Sequence, residues 1–165
     1  MQLDEVKQSL VCGFCGSVQV LEPDSDGVAL LGTTSPFQCP VCSTPLEEAA
    51  ARSRKLLCCP RCRGLLIGMD EFIGLIGVLR ADHAFPTEPL HRFNPDDLRR
   101  VIACPRCRRR MDAHAYAGPG NVVIDSCEAC HVIWLDHNEV MRIASAPDHT
   151  RAEDDELPQA GDPGF

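Results

Sequence analysis

The sequence predicts a small, metal-stabilised α+β fold, built as two copies of one unit of hairpins followed by a short helix. Three observations point there. Eleven of the 165 residues are cysteine, and ten of these fall into five Cys-x-x-Cys pairs. Aromatic residues make up only 5% of the chain, with a single tryptophan, so the side chains that usually fill one large core are scarce. Two stretches of the chain also align with one another without a gap. Modules this short of core need another source of stability, and clustered thiols supply it by holding a metal ion.

The pairs are CGFC (12–15), CPVC (39–42), CPRC (59–62), CPRC (104–107) and CEAC (127–130), and Cys58 stands alone. A tetrahedral Zn²⁺ site takes four thiolates, so pairs must combine, and partner pairs are typically separated by about 15–20 residues. Sixteen residues lie between Cys42 and Cys59, and nineteen between Cys107 and Cys127. The gaps of 23 residues after Cys15 and 41 after Cys62 do not fit. The spacing selects two sites: Cys39, Cys42, Cys59 and Cys62, then Cys104, Cys107, Cys127 and Cys130. Two Zn²⁺ ions are expected. In such a turn both sulfurs can face one ion while backbone N–H groups donate to them. Two turns at hairpin tips close a zinc ribbon, whose Zn–S bonds of about 2.3 Å replace the core that a roughly 35-residue module cannot build. Folding and metal binding are then one event.

Taken in order, residues 1–38 form an N-terminal segment whose CGFC is a half-ribbon. Cys12 and Cys15 have no obvious mate. They take a third Zn²⁺ with other ligands or with another chain, or they stay metal-free. Residues 39–80 form the first ribbon and its helix. Leu56 and Leu57 lead as a strand into the second cysteine pair, although the Glu- and Ala-rich run before them has helical propensity. Phe72, Ile76 and Leu79 give the following helix an apolar stripe. Residues 81–100 read as a linker holding Pro86, Pro89 and Pro95, with a short helix expected from Asn94. Residues 101–146 repeat the ribbon, with a turn at 118–121 and a strand through Val122, Val123 and Ile124. Asp136 as N-cap and Glu139 at N3 make a capping box for the last helix, which should stop before Pro147. Residues 147–165 read as a disordered acidic tail. CPRCRGLLIGMDEF and CEACHVIWLDHNEV align throughout, placing Ile67 on Leu135 and Glu71 on Glu139.

These residues resemble the transcription factor IIB-type zinc-ribbon family of small bacterial proteins. Its pattern is Cys-Pro-x-Cys, a hairpin, then Cys-x-x-Cys, a small residue, an apolar residue, Trp-Leu-Asp and a Glu. The second unit matches it closely, with Val132 where glycine is usual. The first is a more degenerate copy that keeps the glycine, Gly64, and lacks Trp-Leu-Asp. The resemblance covers about residues 39–80 and 104–145. It implies a zinc-ribbon fold and Zn²⁺ ligation by the eight cysteines, and says little about activity.

Four thiolates leave no open position to activate water, so no enzymatic activity is expected. A redox role for the pairs would need a thioredoxin-like βαβ context, which this pattern does not offer. The formal net charge of −8 disfavours nucleic acid, and eight thiolates holding two dications would make it more negative. The basic run is the exception: Arg99 and Arg100 lead to Arg106, Arg108, Arg109 and Arg110, which either contact phosphates or offset the charge of the zinc centre. Trp134 reads as core. Cys58 reads as a small buried apolar side chain. The six histidines sit at no ligand spacing, although His83 or His91 could serve Cys12 and Cys15. MQLDEVKQSL carries no secretory pattern, and the apolar run FIGLIGVL is too short to span a bilayer. A cytoplasmic protein without a membrane partner is therefore expected. Its functions in prospect are a protein-interaction or transcription-associated adaptor, a nucleic-acid binder using the Arg99–Arg110 cluster, and a thiol-redox or zinc-handling protein.

Overall fold

The computed structural model describes residues 2–4, 9–20, 22–52, 54–82, 94–117 and 121–146. The fold is α+β, with ten strands and two helices among these residues. β1 (Gln2–Asp4), β2 (Ser9–Val11) and β3 (Val18–Val20) form a small antiparallel sheet. The remaining strands are β4 (Ala29–Gln38), β5 (Pro45–Ala51), β6 (Arg54–Cys58), β7 (Leu65–Gly68), β8 (Asp112–Ala115), β9 (Val123–Cys127) and β10 (Val132–Leu135). They form one antiparallel seven-stranded sheet in the order β4-β5-β6-β7-β10-β9-β8. α1 (Met69–Asp82) follows β7, and α2 (Glu139–Ser145) follows β10.

The two units therefore do not stand apart. They join edge to edge through β7 and β10, with Leu65, Leu66, Ile67 and Gly68 opposite Leu135, Trp134, Ile133 and Val132. Leu66 and Trp134 occupy the same position in the two repeats, and they pair with each other. A pseudo-two-fold axis thus passes between them, relating β5-β6-β7 to β8-β9-β10, and the joint is an isologous interface inside one chain. Packing at the joint is complementary rather than identical. A Cβ added at Gly64 would overlap the Trp134 ring. In the second unit the two corresponding positions hold Val132 and Leu66, so a Gly–Trp combination on one side of the axis is balanced by Val–Leu on the other. Val132 is thus matched by a smaller partner.

Because side chains alternate along a strand, the sheet carries two cores. Leu65, Ile67, Ile133 and Leu135 face the helices and pack with Phe72, Leu75, Ile76, Leu79, Val140 and Ile143. Leu66, Val132 and Trp134 face the other way and pack with Leu46, Ile102, Met111 and the cysteines. β10 is buried on both faces, which accounts for its unbroken VIWL run. The helices also bind the units together. Arg80 near the end of α1 donates to the Ile143 and Ala146 carbonyls at 2.9 and 3.0 Å, capping the end of α2 with a positive charge. Phe72 meets Tyr116 edge to face at 5.4 Å.

Polar groups fix the remaining joints. Arg100 forms ion pairs with Asp125, which is fully buried, and with Asp136. Burial pulls the guanidinium down, but the two carboxylates overcome it and hold it above its ordinary value. Burial raises Asp125 even so. The loop before β4 staples both units. Asp24 accepts from Arg63 Nε at 2.9 Å, and Asp26 accepts from the Asn138 backbone N–H at 2.7 Å and lies 3.2 Å from His137 Nδ1.

The Glu- and Ala-rich run forms the hairpin β5–β6 expected of the first unit, with alternate residues Ala49 and Ala51 buried in the helix-side core; burial on a sheet outweighs its helical propensity. Other elements depart from expectation. Asn94 begins no helix; a 3-10 turn at Asp97–Arg99 delivers Arg100 to its carboxylates. Asp136 does not cap α2 with its side chain. That carboxylate accepts the Trp134 indole N–H at 3.2 Å and pairs with Arg100, and Asn138, at φ 69°, is the residue flanking the helix. Half of the capping box survives, since Glu139 reaches back to the Asp136 backbone N–H at 2.7 Å. The acidic tail 147–165, most of the expected linker (83–93) and three residues of the expected turn (118–120) lie outside the described residues. Among the described residues no helix is long and apolar enough to cross a membrane.

Candidate metal centres

One local conformation recurs at all five Cys-x-x-Cys pairs. The residue after the second cysteine is left-handed each time: Gly16, Ser43, Arg63, Arg108 and His131, with φ between 50° and 69°. In the first four turns the leading cysteine N–H donates to the carbonyl five residues on, and its own carbonyl accepts from the left-handed residue. At Cys39 these bonds measure 2.8 and 3.0 Å, at Cys59 2.8 and 3.0 Å, and at Cys104 2.7 and 2.8 Å. The turn leaves inner N–H groups directed at sulfur: Val41 and Cys42 donate to Cys39 Sγ at 3.4 Å, and Cys62 donates to Cys59 Sγ at 3.5 Å.

The hairpins bring the knuckles together in the combination that the spacing selects. Cys39, Cys42, Cys59 and Cys62 form one group and Cys104, Cys107, Cys127 and Cys130 another, the sulfurs of each lying within 4.8 Å of one another. Cys39–Cys62 measures 3.5 Å, Cys42–Cys59 3.4 Å and Cys107–Cys127 3.6 Å. A tetrahedron with bonds of about 2.3 Å has edges of about 3.8 Å, so these spacings suit four thiolates around one ion. The first cysteine of each pair is buried and the second half-buried. All eight adjoin the apolar cluster around Leu66 and Trp134, so the two groups share one core.

The thiols of each group are shifted in opposite directions. Hydrogen bonding with Thr44 lowers the Cys42 thiol to about 6, and the Arg109 backbone and side chain lower Cys107 to about 6. Burial raises Cys39, Cys62 and Cys104, while the neighbouring Cys107 thiol and burial raise Cys130 to about 12. In each group one thiol is thus lowered and two are raised, and a bound dication would deprotonate its ligands outright.

The remaining candidates divide. Cys58 is fully buried in the helix-side core, and burial pushes its thiol up to about 12; it faces away from the ligands. His131 and His137 are exposed, and His137 serves Asp26. Of the basic cluster, Arg100 is a packing residue and Arg99 pairs with Asp96 at 2.9 Å. Arg106, Arg108, Arg109 and Arg110 are exposed on the Cys104 knuckle, with Arg109 beside Cys107. Cys12 is half-buried and Cys15 exposed. Hydrogen bonding to Ser17 lowers Cys15 to about 7. Neither joins a group of three or more ligands among the described residues.

Sequence reasoning missed the staple through Asp24 and Asp26, and it missed a cavity of about 640 Å³ beside the second group. Phe37 on β4, Lys55 and Leu57 on β6, Glu71 on α1, Arg106 and His131 are among its walls. No short-range pattern announces either feature, since both depend on the joint between the units. Comparison of the chain with family models, with curated proteins and with solved structures gives no match.

Proposed function

We propose that the chain holds two structural Zn²⁺ ions in zinc ribbons and acts as a non-enzymatic interaction module. The observation that carries this reading is the pair of four-cysteine groups, each assembled by two knuckles, with N–H groups directed at sulfur in the first. Zn²⁺ suits four thiolates in a tetrahedron better than harder cations do, and a closed set of four leaves no place for substrate or water. The metals complete the sulfur-side core, so their role is to hold the joined sheet in shape. The surface that remains for function is the ribbon face with its cavity, where apolar Phe37 and Leu57 stand beside Lys55, Glu71 and Arg106. Such a mixed wall suits a protein partner, and the likeness to transcription factor IIB-type ribbons makes transcription-associated proteins the first class to try. Cobalt substitution tests the closed site. The visible bands of tetrahedral Co²⁺–thiolate should be unchanged by added cyanide or imidazole; a shift would show an open position and sink the non-enzymatic reading.

A second reading rests on the exposure of Arg106, Arg108, Arg109 and Arg110 on one knuckle. If the knuckle meets phosphates, the zinc-loaded chain gives a salt-sensitive mobility shift, and replacing Arg108, Arg109 and Arg110 with alanine removes it. A shift unchanged by that replacement would rule out the knuckle as the contact.

A further inference from the structure

The Cys12–Cys15 turn is built like the ligand-bearing knuckles and lacks only a mate. It joins β2 to β3 as a hairpin tip. Cys12 N–H donates to the Ser17 carbonyl at 2.9 Å, and Gly16 N–H donates to the Cys12 carbonyl at 2.8 Å. These are the bonds found at Cys39, Cys59 and Cys104. Gly16 takes the same left-handed conformation at φ 69°, in open space where no neighbour demands a glycine for lack of room. Nothing about a plain hairpin requires this turn; its use elsewhere in the chain is to direct two sulfurs at one point.

The other difference is exposure. The leading cysteines of the four-thiol groups are buried, whereas Cys12 is half-buried and Cys15 exposed. Phe14 at the tip is 100% exposed and Val18 59%. Two thiolates do not close a tetrahedral site. Among the described residues no His, Cys, Asp or Glu extends the pair to three. An identical knuckle facing it across a two-fold axis supplies what is missing, since an isologous contact brings the same two ligands from each side to an ion on the axis. The same contact would cover the exposed Phe14 and Val18.

We propose that this knuckle is a half-site, and that one Zn²⁺ joins two copies of the chain through Cys12 and Cys15 of each. The inference rests on the zinc reading of the other two groups. Native mass spectrometry of the full chain purified with Zn²⁺ tests it. The expected species is a dimer with five zinc ions, two in each chain and one shared. The Cys12→Ser, Cys15→Ser variant should be a monomer that keeps two, which also shows that it has folded. A wild-type monomer with two ions would overturn the bridge. A monomer with three would show that the chain completes the site by itself, and a dimer that survives in the variant would place the interface elsewhere; either result overturns the proposal. Protein without zinc would instead overturn the reading of the four-cysteine groups.

Discussion

Gly64→Ala tests the joint between the two units directly. Gly64 carries no positive φ, so alanine is permitted by the backbone, and its effect must come from packing. The new Cβ would overlap Cζ2 of Trp134 and stand 2.9 and 3.0 Å from two other ring atoms. The ring has little freedom to retreat, being fully buried and bonded through its indole N–H to Asp136. Overpacking of this kind costs about 1–3 kcal/mol, and removing a glycine from the unfolded chain returns about 0.4–1 kcal/mol. The net expected loss is about 1–2 kcal/mol, or a fall in Tm of roughly 4–10 °C for a fold of this size. The pseudo-symmetry supplies a sharper version. Gly64→Val with Trp134→Leu installs on one side of the axis the Val132 and Leu66 combination already present on the other. Each single change should destabilise, and the pair should recover about 1–3 kcal/mol relative to their sum. Guanidinium unfolding followed by circular dichroism, with Zn²⁺ in excess, measures all four proteins. A neutral Gly64→Ala, or strictly additive losses, would refute the complementary joint.

Three further outcomes are expected. Burial raises Glu139 to about 7 from 4.5, against opposing help from the Asp136 N–H, Arg100 and Arg142. Its favourable contribution is therefore full below the unfolded value and lost as pH rises through about 7. Glu139→Gln keeps an acceptor for Asp136 without the charge, so it should gain about 1–3 kcal/mol at pH 8 and flatten the fall in stability between about pH 4.5 and 7; parallel curves for the two proteins would contradict this. Arg100→Met leaves the fully buried Asp125 carboxylate unpaired and should cost about 2–4 kcal/mol, discounted from a fully buried pair because Arg100 is partly exposed; urea unfolding checks it. Cys127→Ser should weaken the second metal group and, through the shared Leu66–Trp134 cluster, speed loss of the ion from the first when a chelator is added. Unchanged release from the first group would show that the two sites are independent.

The eight cysteines were legible because a thiolate pair has a fixed local form, and the distance between pairs limits which can meet. Equally local was the apolar stripe of Phe72, Ile76 and Leu79, which the structure buries on α1 together with Leu75. The joined sheet was not legible. VIWL and LLI announce burial on both faces, but nothing in either run says that its neighbour is the other repeat. The alignment held a clue, since Gly64 and Val132 differ at one position while Leu66 and Trp134 differ two residues later, and compensating sizes mean contact. Asp136 was misread because its spacing to Glu139 fits a capping box, whereas the indole N–H two residues back and a guanidinium brought in by tertiary structure compete for the same carboxylate. The long β4 was hidden by Gly32 and Pro36, which break its pairing with β5 into bulged segments at the sheet edge, where a proline is tolerated. In the second unit its counterpart is the single bridge between Ala103 and Arg110.

The most direct test of the central claim is zinc K-edge X-ray absorption on the Cys12→Ser, Cys15→Ser variant, in which only the two four-cysteine groups remain. The expected spectrum has four sulfur neighbours at about 2.3 Å and no nitrogen or oxygen in the first shell. A shell containing nitrogen or oxygen, or fewer than four sulfurs per zinc, would contradict two closed structural sites.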